Sequence, residues 1–215
     1  MSRKERNEYI AREFDRAAKS YDDSRFVNSY QRRTQTLAIN TMHIEKGMNI
    51  LDLGCGTGRG TIDIAEKLEG SGKVVGLDLS EAMVRKARQN LAEFKYNNVE
   101  FEVGSGNTLD IENQFDFVVS TNAFHHFDKK EELFTRVLKS LKHNGIFIIE
   151  DICNDYFQMK MVDIAGKISG KAHIGSTTSE GLRNLFLTTG YTDVEVTKVK
   201  FNWFWGIMIG RGTRE

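Results

Sequence analysis

Proline is absent from this chain of 215 residues, and cysteine is scarce, with Cys55 and Cys153 as its two occurrences. Two cysteines provide neither a disulfide framework nor a metal site. We therefore expect reduced thiols, no bound metal and a cytoplasmic location. A reactive nucleophile at Cys55 stays open at this point, because thiol reactivity depends on surroundings that a sequence does not show.

An excess of charge of either sign is also missing, because 30 basic residues balance 30 acidic ones. A balanced chain presents no overall electrostatic footprint for nucleic acid or for acidic membranes. No apolar core follows the polar opening residues 1–8, so we expect no secretory signal. The apolar runs, such as 146–149 and 203–209, are far too short to span a bilayer. We expect one domain over residues 1–215, with no nucleic acid partner and no integral membrane segment.

What the chain does contain is an apolar strand that leads directly into a glycine-rich loop, over residues 50–58. Glycine lets the backbone turn sharply and leaves no side chain between the loop and a ligand. The loop opens a helix with an apolar stripe, so free backbone N–H groups lie beside the bound group. A second strand, 73–77, ends in Asp78, which lies 20 residues beyond Gly58. In a doubly wound sheet this carboxylate can accept both hydroxyls of a ribose, so the pattern indicates a cofactor that carries a nucleoside.

The spacing within the loop distinguishes between such cofactors. Dinucleotide-binding proteins use Gly-x-Gly-x-x-Gly, whereas this chain has Gly-x-Gly-x-Gly, with Asp52 two residues before the first glycine. A carboxylate at the end of the strand would repel a pyrophosphate but suits the ammonium and sulfonium groups of S-adenosylmethionine. The spacing therefore argues against a nicotinamide-dependent oxidoreductase. A glycine turn that only tightens the packing of the strand on the helix is the structural alternative.

At this point the chain resembles the class I S-adenosylmethionine-dependent methyltransferases, whose signature Asp-Leu-Gly-Cys-Gly-Thr-Gly it matches at 52–58. A second segment, 14–22, is similar to the entry segment of ubiquinone/menaquinone-biosynthesis-type methyltransferases. The resemblance implies that Cys55 is a residue of a tight loop rather than a nucleophile. It also implies helices that cover the cofactor and the substrate cavity.

The chain beyond the loop alternates strands and helices, which predicts a parallel sheet with helices on both faces. Strands are predicted at 99–103, 115–119 and 146–149 from alternating or continuous apolar runs. Ser80 is expected to cap a helix, and Asp128 with Glu131, like Thr177 with Glu180, to begin further helices as capping boxes.

Two apolar segments near the end of the chain, 194–199 and 201–209, predict an antiparallel hairpin. Such a hairpin closes the sheet of the methyltransferase fold. The expected architecture is therefore a Rossmann-like α/β fold, with a doubly wound, mostly parallel seven-stranded sheet and a C-terminal antiparallel hairpin. Alternation would send Trp203 and Trp205 to one face of the last strand, either into the core or into an apolar acceptor pocket.

The first 45 residues, ahead of the sheet domain at 46–215, are predicted to form two helices. The residues at helical spacing are Ile10, Phe14, Ala17 and Tyr21 in the first helix, and Phe26, Tyr30, Arg33 and Leu37 in the second. The resemblance implies that these helices form a lid. Packing of their aromatic residues against the sheet is the alternative.

The resemblance places cofactor-binding residues at the ends of successive strands and on the N-terminal segment. They are Tyr21, Asp52, Gly54, Gly56, Thr57, Gly58, Asp78, Leu79, Ser105, Gly106 and Thr121. Leu79 would lie against the purine, and Ser105 would accept from the adenine amine, a contact for which Asn107 is the alternative. Thr121 matches a cofactor-contacting position of the quinone-methylating enzymes.

Candidate catalytic groups follow the fourth and fifth strands. His125 and His126 are candidate bases, since an imidazole can accept the proton of a phenol or an enol. At most one of the two is expected in the cavity, and a role in shaping the loop is the alternative. Glu150 and Asp151 either face the acceptor or lie in a solvated turn.

These observations predict a methyltransferase that uses S-adenosyl-L-methionine, releases S-adenosyl-L-homocysteine and acts on carbon or oxygen of a small, apolar or aromatic metabolite. A quinone precursor is the leading hypothesis for this acceptor. The absence of proline excludes the Asn/Asp-Pro-Pro-aromatic loop of enzymes that methylate base amines. The alternatives are N-methylation of a small amine or lipid headgroup, and a non-catalytic protein that binds S-adenosylmethionine or a partner.

Overall fold

The computed structural model describes residues 2–24, 27–169, 173–200 and 202–215. Its strands are β1 Asn49–Leu53, β2 Lys73–Asp78, β3 Val99–Val103, β4 Phe115–Thr121, β5 Leu141–Ile152, β6 Thr192–Lys200 and β7 Gly206–Thr213. Its α-helices are α1 Arg3–Ala17, α2 Arg32–Asn40, α3 Arg59–Lys67, α4 Glu81–Leu91, α5 Lys130–Ser140, α6 Phe157–Ser169 and α7 Ser179–Thr188.

The strands form one seven-stranded sheet in the order β3–β2–β1–β4–β5–β7–β6. The first five strands in this order are parallel, and β7 is antiparallel to both β5 and β6. The order reverses between β1 and β4, which opens a crevice beyond the carboxyl ends of these two strands. The predicted fold class, including its antiparallel C-terminal hairpin, is confirmed.

Helices cover both faces of the sheet because successive residues of the buried strands point to opposite sides. Ile50 packs in the cluster that contains Ile39 of α2 and Ile64 of α3. Its neighbour Leu51 packs in the other cluster, together with Phe134 of α5 and Phe186 of α7. A doubly wound sheet therefore follows from the continuous apolar runs of the central strands.

The predicted helix starts are correct at one position and wrong at two. The Ser80 side chain accepts from the N–H of Met83 and so caps α4. Helix α5 begins at Lys130 instead, after Lys129 in a left-handed conformation, because Asp128 accepts from the N–H of Lys129 rather than from the helix. Helix α7 is capped by Thr178, one residue beyond the predicted Thr177.

The hairpin loop is longer than the apolar pattern predicts. Strand β7 begins at Gly206, whereas the predicted strand began at Phe201, which lies outside the described residues. The side chain of Asn202 accepts from the N–H groups of Phe204 and Trp205, and this turn takes the segment out of the sheet. The predicted alternation of Trp203 and Trp205 along a strand is therefore wrong, and Trp203 points into solvent instead of the core.

The N-terminal segment folds as α1, a π-helical turn at Val27–Gln31 and α2, while Phe26 lies outside the described residues. Helix α1 lies against α4, where Asp15 accepts from the hydroxyl of Ser80 and from the N–H of Ala82. Helix α6 has no counterpart in the sequence analysis. In the part of the chain that the structure describes, none of the helices is long and apolar enough to cross a membrane.

Replacing Ser80 with alanine should lower the free energy of unfolding by about 1–2 kcal/mol, because Ser80 both caps α4 and holds Asp15 of α1. Thr178→Ala removes only the cap of α7 and should cost about 1 kcal/mol or less. Urea denaturation of both variants measures the difference. An equal cost in the two variants would contradict the second role of Ser80.

Candidate cofactor and methyl-transfer site

One cavity opens in the crevice at the carboxyl ends of β1, β2 and β4, under the N-terminal helices. It gathers nine of the residues predicted to form the site, namely Tyr21, Gly54, Gly56, Thr57, Asp78, Leu79, Gly106, Thr121 and His126. The N-terminal segment contributes Ile10 and Phe14 to the lining of the cavity. The predicted position of the N-terminal helices over the cavity is thus observed, whereas their action as a lid stays a prediction.

At two positions of the glycine loop, neighbouring side chains pack so closely against the backbone that a Cβ atom would not fit. Gly54 has a φ of 75°, and a Cβ there would lie 2.5 Å from the Cβ of Ala123. Gly58 has a φ of 80°, and a Cβ there would lie 2.6 Å from the ring of Phe101. Both glycines are required by backbone conformation and by packing. Gly58 packs behind the loop and, unlike Gly54, is not part of the cavity wall among the described residues.

Asp78 connects the glycine loop to the turn after β2. One carboxylate oxygen accepts from the N–H of Gly56 at 2.9 Å, and the other accepts from the N–H of Ser80 at 2.8 Å. Burial raises the pKa of Asp78, while these two N–H donors oppose the shift. Each oxygen has a further lone pair for a ribose hydroxyl, so the carboxylate fits the predicted role.

Asp52 lies beneath the loop rather than in the cavity wall. It is almost fully buried, and its carboxylate accepts from the hydroxyl of Thr61 at 2.7 Å. Burial raises the pKa of Asp52 to about 7, against the effect of the Thr61 hydroxyl. Its direct contact with an ammonium group stays a prediction. The geometry shows a hydrogen bond between the end of β1 and the first turn of α3.

The residues after β3 form a short 3₁₀ turn at the predicted adenine end. Ser105 caps this turn by accepting from the N–H of Asn107. The Nδ2 group of Asn107 donates to the carbonyl oxygens of Asp128 and Lys129, which attaches this side chain to the neighbouring loop. The choice between Ser105 and Asn107 as acceptor for the adenine amine stays a prediction. Gly106 provides the cavity wall at this point.

Two glutamines of the N-terminal segment, which the sequence analysis did not identify, reach the cavity. Gln35 donates to the hydroxyl of Thr121 at 2.9 Å. Gln31 accepts from the hydroxyl of Tyr21 at 3.0 Å, and burial raises the pKa of Tyr21 to about 12. The helical spacing of this segment pointed to its apolar residues, and no motif marks the glutamines.

Asp22 ties the segment before α2 to the glycine loop. Its carboxylate accepts from the hydroxyl of Thr57 at 2.8 Å, pairs with Arg59 at 3.0 Å and accepts from the side chain of Asn90 at 3.2 Å. The segment 14–22 that carries the family resemblance includes this residue. That resemblance was the one signal in the sequence that pointed to it.

The histidine pair divides as the sequence analysis expected, with one ring in the cavity wall. His126 lines the cavity, and its ring packs edge-on against Phe14 with centroids 5.0 Å apart. His125 lies behind it, with ring centroids 3.9 Å apart, and its Nδ1 lies 2.7 Å from a carboxylate oxygen of Asp151. Burial opposes the ionisation of Asp151, but His125 and the N–H donors of Ile152 and His125 outweigh it and lower its pKa.

Glu150 and Asp151 are fully buried, so the interpretation as a solvated turn is wrong. The turn was expected directly after residue 149, whereas β5 continues to Ile152 and pairs with β7 over this stretch. Glu150 accepts from the backbone and side-chain N–H groups of Asn122. Burial, and then the charge of Asp151, raise the pKa of Glu150 well above its usual range. The pKa values of these two adjacent acids are therefore shifted in opposite directions.

A third histidine, His173, lies beside the first two and was not predicted. Its ring centroid lies 5.0 Å from that of His125, and its Nε2 lies 2.7 Å from a carboxylate oxygen of Asp163. Within the described ranges, no group of three or more histidine, cysteine or acidic side chains has a geometry that would hold a metal ion. Burial raises the pKa of Cys55 well above its usual range, so its thiol is neutral and the loop-residue interpretation is favoured.

Comparison with known proteins places this geometry in a family. The profile of the methyltransferase domain family matches residues 44–185. Demethylmenaquinone methyltransferase of Desulfitobacterium hafniense (strain Y51) is 25% identical over 219 residues, which covers 90% of this chain and 86% of that protein. Phosphoethanolamine N-methyltransferase 1 of Arabidopsis thaliana is 34% identical over 129 residues, which covers 60% of this chain but 26% of that protein.

A solved structure that has the same fold contains bound ligands. Phosphoethanolamine N-methyltransferase 2 of Haemonchus contortus, in complex with phosphomonomethylethanolamine and S-adenosylhomocysteine, matches with a TM-score of 0.72 at 18% identity. The match covers 85% of this chain and 52% of that chain.

A doubly wound sheet with a glycine loop and a carboxylate at its switch point defines a Rossmann-like protein that binds a nucleoside cofactor. The chain belongs to the methyltransferase domain family and is a class I S-adenosylmethionine-dependent methyltransferase. S-adenosyl-L-methionine is therefore the cofactor, as predicted. The residues fit it, because a Cβ at Gly56 would meet nothing within 4 Å and Asp78 stands beside this open space.

The Asp78→Asn variant should bind S-adenosylhomocysteine more weakly by about 1–3 kcal/mol, because it loses a charged acceptor for the ribose hydroxyls. Titration calorimetry measures the change, and Asp110→Asn, at an exposed position, is the matched control. Because the pKa of Asp78 is raised and the ionised form binds, affinity in the native chain should fall as the pH drops through that raised pKa. Unchanged affinity in Asp78→Asn would show that the carboxylate does not contact the cofactor.

Proposed function

We propose that this methyltransferase acts on carbon or oxygen of a small, largely apolar metabolite, with a quinone precursor as the leading candidate. The observation that carries the proposal is that one cavity is lined by the glycine loop, by apolar side chains and by a histidine. Ile10, Phe14 and Phe127 supply apolar surface, and His126 supplies the imidazole. The similarity to demethylmenaquinone methyltransferases supports the same acceptor class.

Methyl transfer is an in-line displacement, so the chain must hold the acceptor about 3–3.5 Å from the methyl group and collinear with the departing sulfur. S-adenosylmethionine supplies the activated methyl group when bound. The positive charge on sulfur disappears during the reaction, so a water-excluding wall favours it. Phe14 packs on the ring of His126 and provides such a wall beside the imidazole.

A phenol or enol must lose its proton, and we assign His126 as the base because it is the histidine that reaches the cavity. His125 and Asp151 act as positioning residues. The ionised Asp151 accepts from Nδ1–H of His125, which fixes the orientation of that ring. The His125 ring in turn packs against His126. Since the acidic pKa of Asp151 keeps it charged, this arrangement persists across the physiological pH range.

N-methylation of a small phosphorylated amine is a second candidate, because the cavity also contains two arginines, Arg32 and Arg59. Guanidinium groups recognise phosphate. Both are already engaged, since Arg59 pairs with Asp22 at 3.0 Å and Arg32 with Asp63 at 3.8 Å. A phosphorylated acceptor would compete with these carboxylates, so the apolar acceptor is favoured.

The proposal also includes one domain over residues 1–215, a cytoplasmic location and no nucleic acid partner.

The His126→Asn variant should lose about 10²-fold or more in kcat, because general-base catalysis contributes that order of magnitude. Its affinity for S-adenosylhomocysteine should stay within about threefold of the native value, because the residue acts on the acceptor. His143→Asn, at an exposed position on β5, is the matched control. The native rate should fall in acid, where a protonated imidazole cannot accept a proton. A native kcat and an unchanged pH profile in His126→Asn would exclude it as the base.

Labelled S-adenosylmethionine, tested against quinols, phenols, small amines, phosphorylated amines, lipids and tRNA, should label a quinol or phenol most strongly. The physical reason is the match between an apolar wall and an apolar aromatic ring. Strong labelling of a phosphorylated amine would favour the second candidate. Labelling of tRNA alone would show that the cavity argument is wrong. Tight cofactor binding with no transfer to any acceptor class would favour a non-catalytic binding protein.

A further inference from the structure

Helix α6 exposes an apolar face that the methyl-transfer site does not use. Phe157, Met161, Ile164 and Ile168 stand at spacings of four, three and four residues, which places them on one side of a helix. Their exposed fractions are 73%, 52%, 50% and 81%, so this side faces solvent. The inward side carries Met159 and Asp163, with exposed fractions of 0% and 5%.

The hairpin loop extends the same surface. The side chain of Gln158 donates to the carbonyl oxygen of Trp203 at 3.3 Å, which brings the loop against the first turn of α6. The indole of Trp203 is 78% exposed. We call Phe157, Met161, Ile164, Ile168 and Trp203 the α6 apolar surface. Exposed apolar residues on one face of a helix, with an exposed tryptophan on the adjoining loop, mark a site of interaction.

Lysines outnumber acidic residues beside the α6 apolar surface, where the exposed Asp155 pairs with Lys198 at 3.1 Å. The one acidic residue of α6, Asp163, points inward and is held by Lys167 at 2.6 Å, by His173 at 2.7 Å and by the N–H of Ser176 at 2.6 Å. Lys160 and Lys167 are the exposed charged side chains of the helix. Lys200, also exposed, ends the strand that leads into the Trp203 loop.

We propose that the α6 apolar surface docks this protein on an anionic phospholipid membrane. A helix with an apolar face, flanking lysines and a nearby tryptophan lies in the plane of the lipid headgroups, with its apolar side chains among the acyl chains. Lys160 and Lys200 attract anionic headgroups, while the pair of Lys167 with the buried Asp163 adds no net charge. The net charge of the whole chain is zero and therefore gives no indication of these lysines.

The docking surface leads towards the methyl-transfer site. Ring centroids lie 5.6 Å apart between Trp203 and Phe204, 5.1 Å apart between Phe204 and Trp205, and 4.7 Å apart between Trp205 and Tyr30. Tyr30 is buried and directly precedes Gln31, which lines the cavity. A row of aromatic rings therefore connects the proposed membrane surface with the edge of the site. The proposal does not depend on which acceptor is methylated.

Co-sedimentation with vesicles of phosphatidylcholine, with or without phosphatidylglycerol, tests the docking surface in the full chain. The protein should bind the vesicles that contain phosphatidylglycerol, and added salt should weaken the binding. The double variant Phe157→Ser/Ile168→Ser should lose about tenfold or more in affinity, because two exposed apolar anchors are removed. Lys160→Glu should also weaken binding, and only to the anionic vesicles.

The chain has two tryptophans, so fluorescence locates the contact. A blue shift on binding should occur in the native protein and disappear in Trp203→Phe, which leaves Trp205 in place. Phe94→Ser and Leu187→Ser, which change exposed apolar residues elsewhere, are matched controls and should bind as the native protein does. Absence of vesicle binding by the native protein would overturn the proposal. A dimer in light scattering that the Phe157→Ser/Ile168→Ser variant converts to monomer, without vesicle binding, would assign the surface to a second copy instead.

Discussion

The carboxylate of Asp78 is the group on which the site depends, because it joins two loops that come from different parts of the chain. It accepts from Gly56 in the loop after β1 and from Ser80 in the turn after β2. Removing it would leave the N–H groups of Gly56 and Ser80 without this acceptor. The same carboxylate stands beside the space for the nucleoside, so one group shapes the loop and recognises the ligand.

Acidic residues organise the remainder of the site in the same way. Asp15 and Asp22 attach the N-terminal segment to α4 and to the glycine loop, which places Phe14 and Tyr21 over the cavity. On β5, Asp151 is stabilised in its charged form by His125, whereas burial and the charge of Asp151 raise the pKa of Glu150. The environment of each carboxylate, and not its residue type, decides whether its pKa is lowered or raised.

The fold could be predicted from the sequence where the signal is local and repetitive. The apolar runs and the Ser80 cap predicted the strands of the sheet and the start of α4 correctly. The errors lie where a side chain has more than one available partner. Asp128 bonds to the N–H of Lys129 instead of capping a helix, and Asn202 turns the chain before β7, which takes Trp203 out of the strand. Helix α6 escaped prediction because its apolar residues face solvent as well as the core.

By itself, the sequence determined the cofactor class, because the spacing of the glycines and the distance to Asp78 are covalent properties of the chain that suit one kind of ligand. The tertiary structure decided which candidate residues meet. It brought His126 into the cavity and joined Asp52 to Thr61 and Asn107 to a neighbouring loop. It also added Gln35, which no motif marks, and gave Asp22 its partner in the glycine loop. These outcomes depend on contacts between residues far apart along the chain. Such contacts form only when the sheet and the N-terminal helices pack together. The spacing of residues along the sequence therefore does not predict them.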